Sequence, residues 1–379
     1  MTTIQNDQEI DDLVRGATFL GTGGGGSPEE GGRLLRRELA EGRKIGWVDK
    51  DTVSDDEWTA CVSFMGNRAP LTAEDMRKKK DLGLDEWKFE NNLVEAVRGL
   101  QDYLGLRVQA IVVPELGGSN TPGPLATGAR LDIPVVDGDY AGRALPEIAQ
   151  MSPCMFGKPI LPIVSVDKWG NSTIIKEAVN YELAERIGKM LAMAAFGNTG
   201  LAFPLKGSVM KEVIIPGTLT QCYNIGKAIR EIRDKGKHSV DDIVSLSKGW
   251  LLFEGRVMEK AWEVIDGYYC GTHLIEGTDR FQGHQLKVWF KNENHLTWLD
   301  DKIHVTSPDL IIQIDPGTYE PIPNHELEKG RSVAVIGMES PELYRTSRGI
   351  ELVGPRRYGF DLDYVPIEER LSPKTTKRD

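Results

Sequence analysis

The stretch Ala110-Ile111-Val112-Val113-Pro114-Glu115-Leu116-Gly117-Gly118-Ser119-Asn120-Thr121-Pro122 decides the class of fold. Arg107 to Val113 reads as a continuous strand buried on both faces, and Pro122 suits the first turn of a helix running to about Arg130. Ile133 to Val136 is then a second buried strand. Strands joined through a helix run parallel, so this unit predicts an α/β N-terminal domain with a mostly parallel sheet.

Upstream, Ile10, Leu13, Val14 and Ala17 fall at helical spacing, and Ile10 to Leu20 reads as a helix leading into Gly21-Thr22-Gly23-Gly24-Gly25-Gly26. Ser27 caps a second helix through about Ala40, with Pro28 in its first turn and Glu30 completing a capping box. Strands are expected at Lys44 to Val48 and Thr59 to Met65, and a helix at Glu86 to Leu104. Downstream, Leu161 to Val166 and Ser172 to Lys176 pair around Trp169-Gly170-Asn171. Helices are expected at Tyr181 to Phe196 and Thr218 to Arg233. After Gly249 the runs Leu251 to Glu254, Lys287 to Lys291, Asp309 to Ile314 and Ser332 to Ile336 are short strands between turns. The expected division is 1–170 for the α/β domain and 171–379 for a C-terminal α+β domain. The latter is helical over 179–248 and β-rich over 250–345, with a tail at 346–379 that packs back on the first domain.

Composition narrows the class of function. Lys and Arg total 46 against 57 Asp and Glu, a formal net charge of −11 over 379 residues, which argues against a nucleic-acid partner. The N-terminus has neither the basic nor the apolar segment of a secretory signal, and no apolar run reaches the ~18 residues of a membrane span. A cytoplasmic chain without membrane contact is expected. Cys61, Cys154, Cys222 and Cys270 are widely spaced, which points to buried thiols. Glycine supplies 41 residues, above the ordinary ~7%, and five lie between Gly21 and Gly26.

That cluster matches G-x-G-x-x-G, but its lead-in is helical and Glu29 and Glu30 would repel a phosphate, so no nucleotide is expected. A loop whose backbone approaches a small substrate fits better, with Gly23, Gly24 and Gly25 as the approaching residues. Glu115, Gly118 and Asn120 follow a buried strand, at the carboxyl edge where open sheets bind ligands; a tight connection with Asn120 or Thr121 as cap is the plainer reading. Asp137-Gly138-Asp139-Tyr140-Ala141-Gly142-Arg143 emerges at the same edge, and Arg143 can pair with either aspartate. Such carboxylates serve as a general base or hold a divalent metal such as zinc, whereas an N-cap aspartate with a structural ion pair is the plainer alternative. His273 and His284 are further metal candidates. His238, His295, His304 and His325 complete the histidines, with no zinc spacing among them.

The order of these motifs resembles the S-methyl thiohydantoin desulfurase-like family. The resemblance runs through Gly21 to Pro28, Met65-Gly66 with Pro70, Glu115 to Asn120, and Val136 to Glu147, then Pro308 to Ile311, Gly330 to Val333 and Gly354-Pro355. It covers nearly the whole chain. It implies an α/β N-terminal domain, a β-rich C-terminal domain and an association with hydantoinase/oxoprolinase-type proteins. Assigned members are similar to hydrolases that remove sulfur from a thiohydantoin ring. The family's acidic motif falls on Asp137, Asp139, Arg143 and Glu147; Tyr140 and Asn67-Arg68-Ala69 depart from its pattern.

The expected function is hydrolysis of a small five-membered cyclic amide, thioamide or amidine of hydantoin or thiohydantoin type. Asp137, Asp139, Glu115 and Arg143 are the catalytic candidates, and Gly23, Gly24, Gly25, Gly118, Asn120 and Glu147 the substrate-binding ones. The expected partners are that small molecule and further copies of the chain in a homo-oligomer. A non-catalytic or half-site subunit beside a hydantoinase-like partner protein is the alternative, and a nucleotide-dependent enzyme using Gly21 to Gly26 the weaker one.

Overall fold

The structure is a computed structural model and describes residues 2–236 and 239–372, so His238 lies outside the described residues. Two sheets form it. The first runs in the order Thr2–Ile4, Ile45–Val48, Val135–Asp139, Ala110–Val113, Trp58–Gly66, Asn198–Lys206, Ile163–Val166, Ser172–Ile175, with Ile215–Pro216 against Val135–Asp139. Its four central strands, Ile45–Val48 to Trp58–Gly66, are parallel, as the strand–helix–strand reading requires. From Asn198–Lys206 outward the pairing is antiparallel. The second sheet has seven antiparallel strands, in the order Lys302–Thr306, Glu293–Leu299, Gln285–Lys291, Tyr268–Gly277, Trp250–Ile265, Ser332–Met338, Leu310–Ile314.

The helices Asp7–Leu20 and Thr218–Asp234 lie between the two sheets. Leu13, Ala17, Leu219 and Ile229 share one buried core with Ile312 and Ile336 of the second sheet and with Trp47 and Val135 of the first. Burying apolar side chains at roughly 1.5–3 kcal/mol each makes this shared core the main tie between the halves. The tail closes the other side, where Tyr344, Leu352 and Val353 pack on Ala141 and Leu145. Among the described residues no helix is long and apolar enough to cross a membrane.

Several elements escape the pattern of the sequence, among them the helix Ala73–Asp81 and the strands Tyr268–Gly277, Glu293–Leu299, Lys302–Thr306 and Asn198–Lys206. The nine-residue strand Asn198–Lys206 pairs along its full length with Trp58–Gly66, although it contains Gly200 and Pro204. Its other edge meets Ile163–Val166 only from Gly200 to Ala202, so Pro204 lies where that side has no ladder to break.

Candidate functional site

A cavity of about 100 Å³, enough for several waters or one small ring, opens at the carboxyl ends of Trp58–Gly66 and Ala110–Val113. Gly23, Gly24, Gly25 and Gly26 form one wall, and Glu115, Asn120, Glu147, Glu185, Lys189 and Glu293 are among the side chains that line it.

The glycine loop joins two helices, Asp7–Leu20 and Pro28–Ala40, and threads between the halves of the molecule. On one side the Gly25 carbonyl accepts from the N–H groups of Ser119 and Asn120 at 3.0 and 3.1 Å. On the other, Thr22 O accepts from Asn294 N and Gly23 O from Asn324 N, both at 2.8 Å. Glycine is required by the crowding: a Cβ on Gly24 would collide with the Glu293 carboxyl, and one on Gly25, which also has φ of +73°, would strike Gly117. Among the described residues, the N–H groups of Gly25 and Gly26 have no acceptor.

Glu115 is held in the cavity by two donors. Asn120 Nδ2 donates to its Oε1 at 2.6 Å and Leu145 N to its Oε2 at 2.7 Å, while Asn120 Oδ1 accepts from Phe64 N at 2.9 Å. Burial pushes its pKa up to about 7 despite those donors. Glu293 is raised well above the ordinary range by burial, and the Glu115 charge adds to the effect. Its Oε2 is buried with no hydrogen-bond partner among the described residues. Lys189 donates to Gly66 O at 3.0 Å and lies 3.7 Å from Glu185, whose pKa burial also raises. Glu147 differs: burial would raise it, but Lys291 at 2.6 Å and Arg357 hold it below the usual range.

The remaining expected site residues sit apart from the cavity lining. Asp137 caps the helix Thr218–Asp234, accepting from Leu219 N, Thr220 N and Thr220 Oγ1 at 3.1, 3.1 and 2.5 Å. Asp139 accepts from Ala141 N and Gly142 N at 3.0 and 2.7 Å, and burial lifts its pKa to about 7. Arg143 pairs with neither aspartate. It is wholly buried and donates to Ala144 O at 3.0 Å, to Thr22 Oγ1 at 3.2 Å and to Pro308 O, tying the glycine loop to the second half. Gly118 backs onto Pro28 rather than lining the cavity. His273 is buried, its pKa pushed down to about 3 by burial, and its Nε2 lies 3.2 Å from Asn324 Oδ1. His284 is an exposed residue paired to Asp300 at 2.6 Å. Among the described residues no three His, Cys, Asp or Glu side chains are grouped to hold a metal, so the donor set named from the sequence does not fit one. All four cysteines are buried and unpaired, and burial raises the thiols of Cys61, Cys154, Cys222 and Cys270.

Glu293, Glu185 and Lys189 are the residues that sequence reading passed over. Asn292-Glu293 reads as strand-and-turn punctuation in the β-rich region, whereas Glu293, Asn294 and His295 are three successive polar residues of the strand Glu293–Leu299, all of them buried.

Two family models match the chain, the S-Me-THD-like N-terminal domain over residues 8–177 and the S-Me-THD-like C-terminal domain over residues 179–367. The chain belongs to the S-Me-THD-like family. Its fold is similar to that of a Chromobacterium violaceum protein solved by X-ray crystallography in a structural-genomics programme. The two share 21% identity over 97% of this chain and 100% of that one, with a TM-score of 0.75. No curated protein matches it. In this S-Me-THD-like chain the glycine loop, Glu115 and Asn120 come from the N-terminal match, and Glu293 and Asn324 from the C-terminal one.

Proposed function

We propose that the chain is a hydrolase of a small five-membered cyclic amide, thioamide or amidine of the hydantoin or thiohydantoin type. The observation that carries this reading is the pair of buried carboxyls, Glu115 and Glu293, lining one small cavity with both pKa values raised. Two carboxyls pushed upward to different extents divide the roles of base and acid between them. Ionised Glu115 takes a proton from water as the water oxygen bonds to the ring carbon flanked by two heteroatoms. The C=N, C=O or C=S π pair moves onto its heteroatom, within reach of donors such as the free Gly25 and Gly26 N–H groups. When the adduct collapses, the bond to the departing atom breaks and that atom takes the proton of Glu293. The new double bond forms from the heteroatom's pair where a ring nitrogen or methylthio group departs, and from the added hydroxyl, which releases its proton to water, where the sulfur of a C=S departs. Transfer of the proton on Glu115 to Glu293 restores the starting state. One oxyanion donor of this kind contributes roughly 3–4 kcal/mol.

The test is turnover of hydantoin, 2-thiohydantoin and its S-methyl derivative by purified protein, following released sulfide, methanethiol or ring opening. Wild-type turnover abolished in Glu115→Gln supports the reading; turnover that survives the change rules out the proposed base. A second reading, a half-site subunit of a hydantoinase-like assembly, draws on the exposed apolar residues Met193 and Ile265, Met193 lying against Gly267 of the hairpin tip. An active species containing this chain alone speaks against it.

A further inference from the structure

A second cleft adjoins the cavity and shares Asn67, Arg68 and Asn198 with it, and its volume, about 450 Å³, is the larger of the two. Trp87, Trp169 and Phe196 line it among charged side chains that include Glu30, Arg68 and Lys168. Trp87 is 50% exposed although it is one of the largest apolar side chains, and it belongs to a stretch whose helix, Ala73–Asp81, buries no residue. Trp169 and Phe196 meet edge to face, with centroids 6.3 Å apart at 84°. Phe196 is held at φ of +53° where the chain turns off the helix Tyr181–Ala194, its N–H donating to Met193 O at 3.0 Å. Trp169 Nε1 is buried without a hydrogen-bond partner among the described residues.

The cations of the cleft are largely committed to other groups. Arg68 pairs with Glu30, and Lys168 Nζ reaches Glu30 at 2.7 Å and lies 4.0 Å from the Trp87 ring centre. Burial would raise Glu30, yet Arg68 and Lys168 hold it down to about 2. Lys79 Nζ lies 5.5 Å from the Trp169 ring centre, so the cleft offers a ligand aromatic surface with an ammonium beside it, next to the cavity.

We infer that this outer cleft binds a planar aromatic side arm carried by the ring substrate, stacked against Trp87, Trp169 and Phe196. The inference rests on the ring reading of the inner cavity and adds the class of substituent. Substrates with an aryl-methyl group at the ring's tetrahedral carbon are preferred over the bare ring.

The test is calorimetric binding of hydantoin, 5-benzylhydantoin and phenylacetamide to the full chain and to Trp87→Ala. Trp87 is half-exposed, so an unchanged melting temperature is expected and confirms that the variant folds. Wild type binds 5-benzylhydantoin more tightly than hydantoin, and Trp87→Ala reduces that ratio roughly two- to tenfold, the span of one aromatic pair. Phenylacetamide carries the aromatic group without the ring. If it binds, weakened by Trp87→Ala, while both hydantoins fail, the cleft stands and the ring reading falls. Equal wild-type affinity for the two hydantoins, a ratio unmoved by Trp87→Ala, or no binding of any probe overturns the cleft.

Discussion

Asp139 permits a test of the buried-acid electrostatics that is separate from turnover. Its carboxyl has no solvent exposure, accepts from two backbone N–H groups and titrates at about 7 in place of 3.8. Because the folded pKa lies above the unfolded one, the folded state binds the proton more tightly. The resulting stability is complete below pH ~4 and is lost as pH rises through about 7. At about 1.4 kcal/mol per pH unit, this one group removes roughly 2–3 kcal/mol between pH 5 and pH 8. Asp139→Asn keeps the shape, and its amide oxygen can accept from Ala141 N and Gly142 N, so that part of the decline should vanish. Urea unfolding of both proteins at pH 5 and pH 8 measures it. Wild type should lose more stability than Asp139→Asn by roughly 2–3 kcal/mol over the interval. Equal losses in the two proteins would refute the claim that Asp139 is a protonated buried acid near neutrality.

Two further outcomes concern the glycine loop and the cleft beside the cavity. Gly24→Ala drives a methyl group into the Glu293 carboxyl, which should destabilise the fold by about 1–3 kcal/mol and reduce turnover with it; wild-type melting and activity would contradict the packing described. Glu30 has its pKa depressed to about 2 by Arg68 and Lys168, so its contribution is present above pH ~4.5 and lost as pH falls toward 2. Glu30→Gln should therefore destabilise the protein by a few kcal/mol at pH 7 and by less at pH 3; a loss that does not shrink on acidification would count against the pairing.

Much of the frame is legible in the sequence because local rules and tertiary packing agree there. Ser27 accepts from Glu30 N, Pro28 opens the helix, and Pro122 opens the next. The apolar runs ending at Val113 and Val136 become neighbouring parallel strands. Glu115 and Asn120 are legible for the same reason, since a loop after a buried parallel strand emerges at the ligand edge. Asn198–Lys206 is hidden by a glycine and a proline whose tolerance depends on which neighbour flanks each part of the strand. Glu293 is hidden because its partner Glu115 lies far away in the chain, in the other half of the molecule, and no periodicity links them. Asp137 shows the converse. Its spacing from Asp139 suggests a shared site, but the helix start at Thr218 claims its carboxylate, and nothing near Asp137 in the chain announces that helix.

The proposed function divides the work of base and acid between Glu115 and Glu293 in one cavity. It is tested most directly by the pH dependence of kcat/KM for 5-substituted hydantoins and S-methyl thiohydantoins in wild type, Glu115→Gln and Glu293→Gln. The wild-type rate should rise through pH about 7 as Glu115 ionises and fall at higher pH as Glu293 loses its proton, with each variant slower by at least ~10²-fold. A wild-type profile flat across pH 7, or a variant that keeps the wild-type rate and limbs, contradicts it.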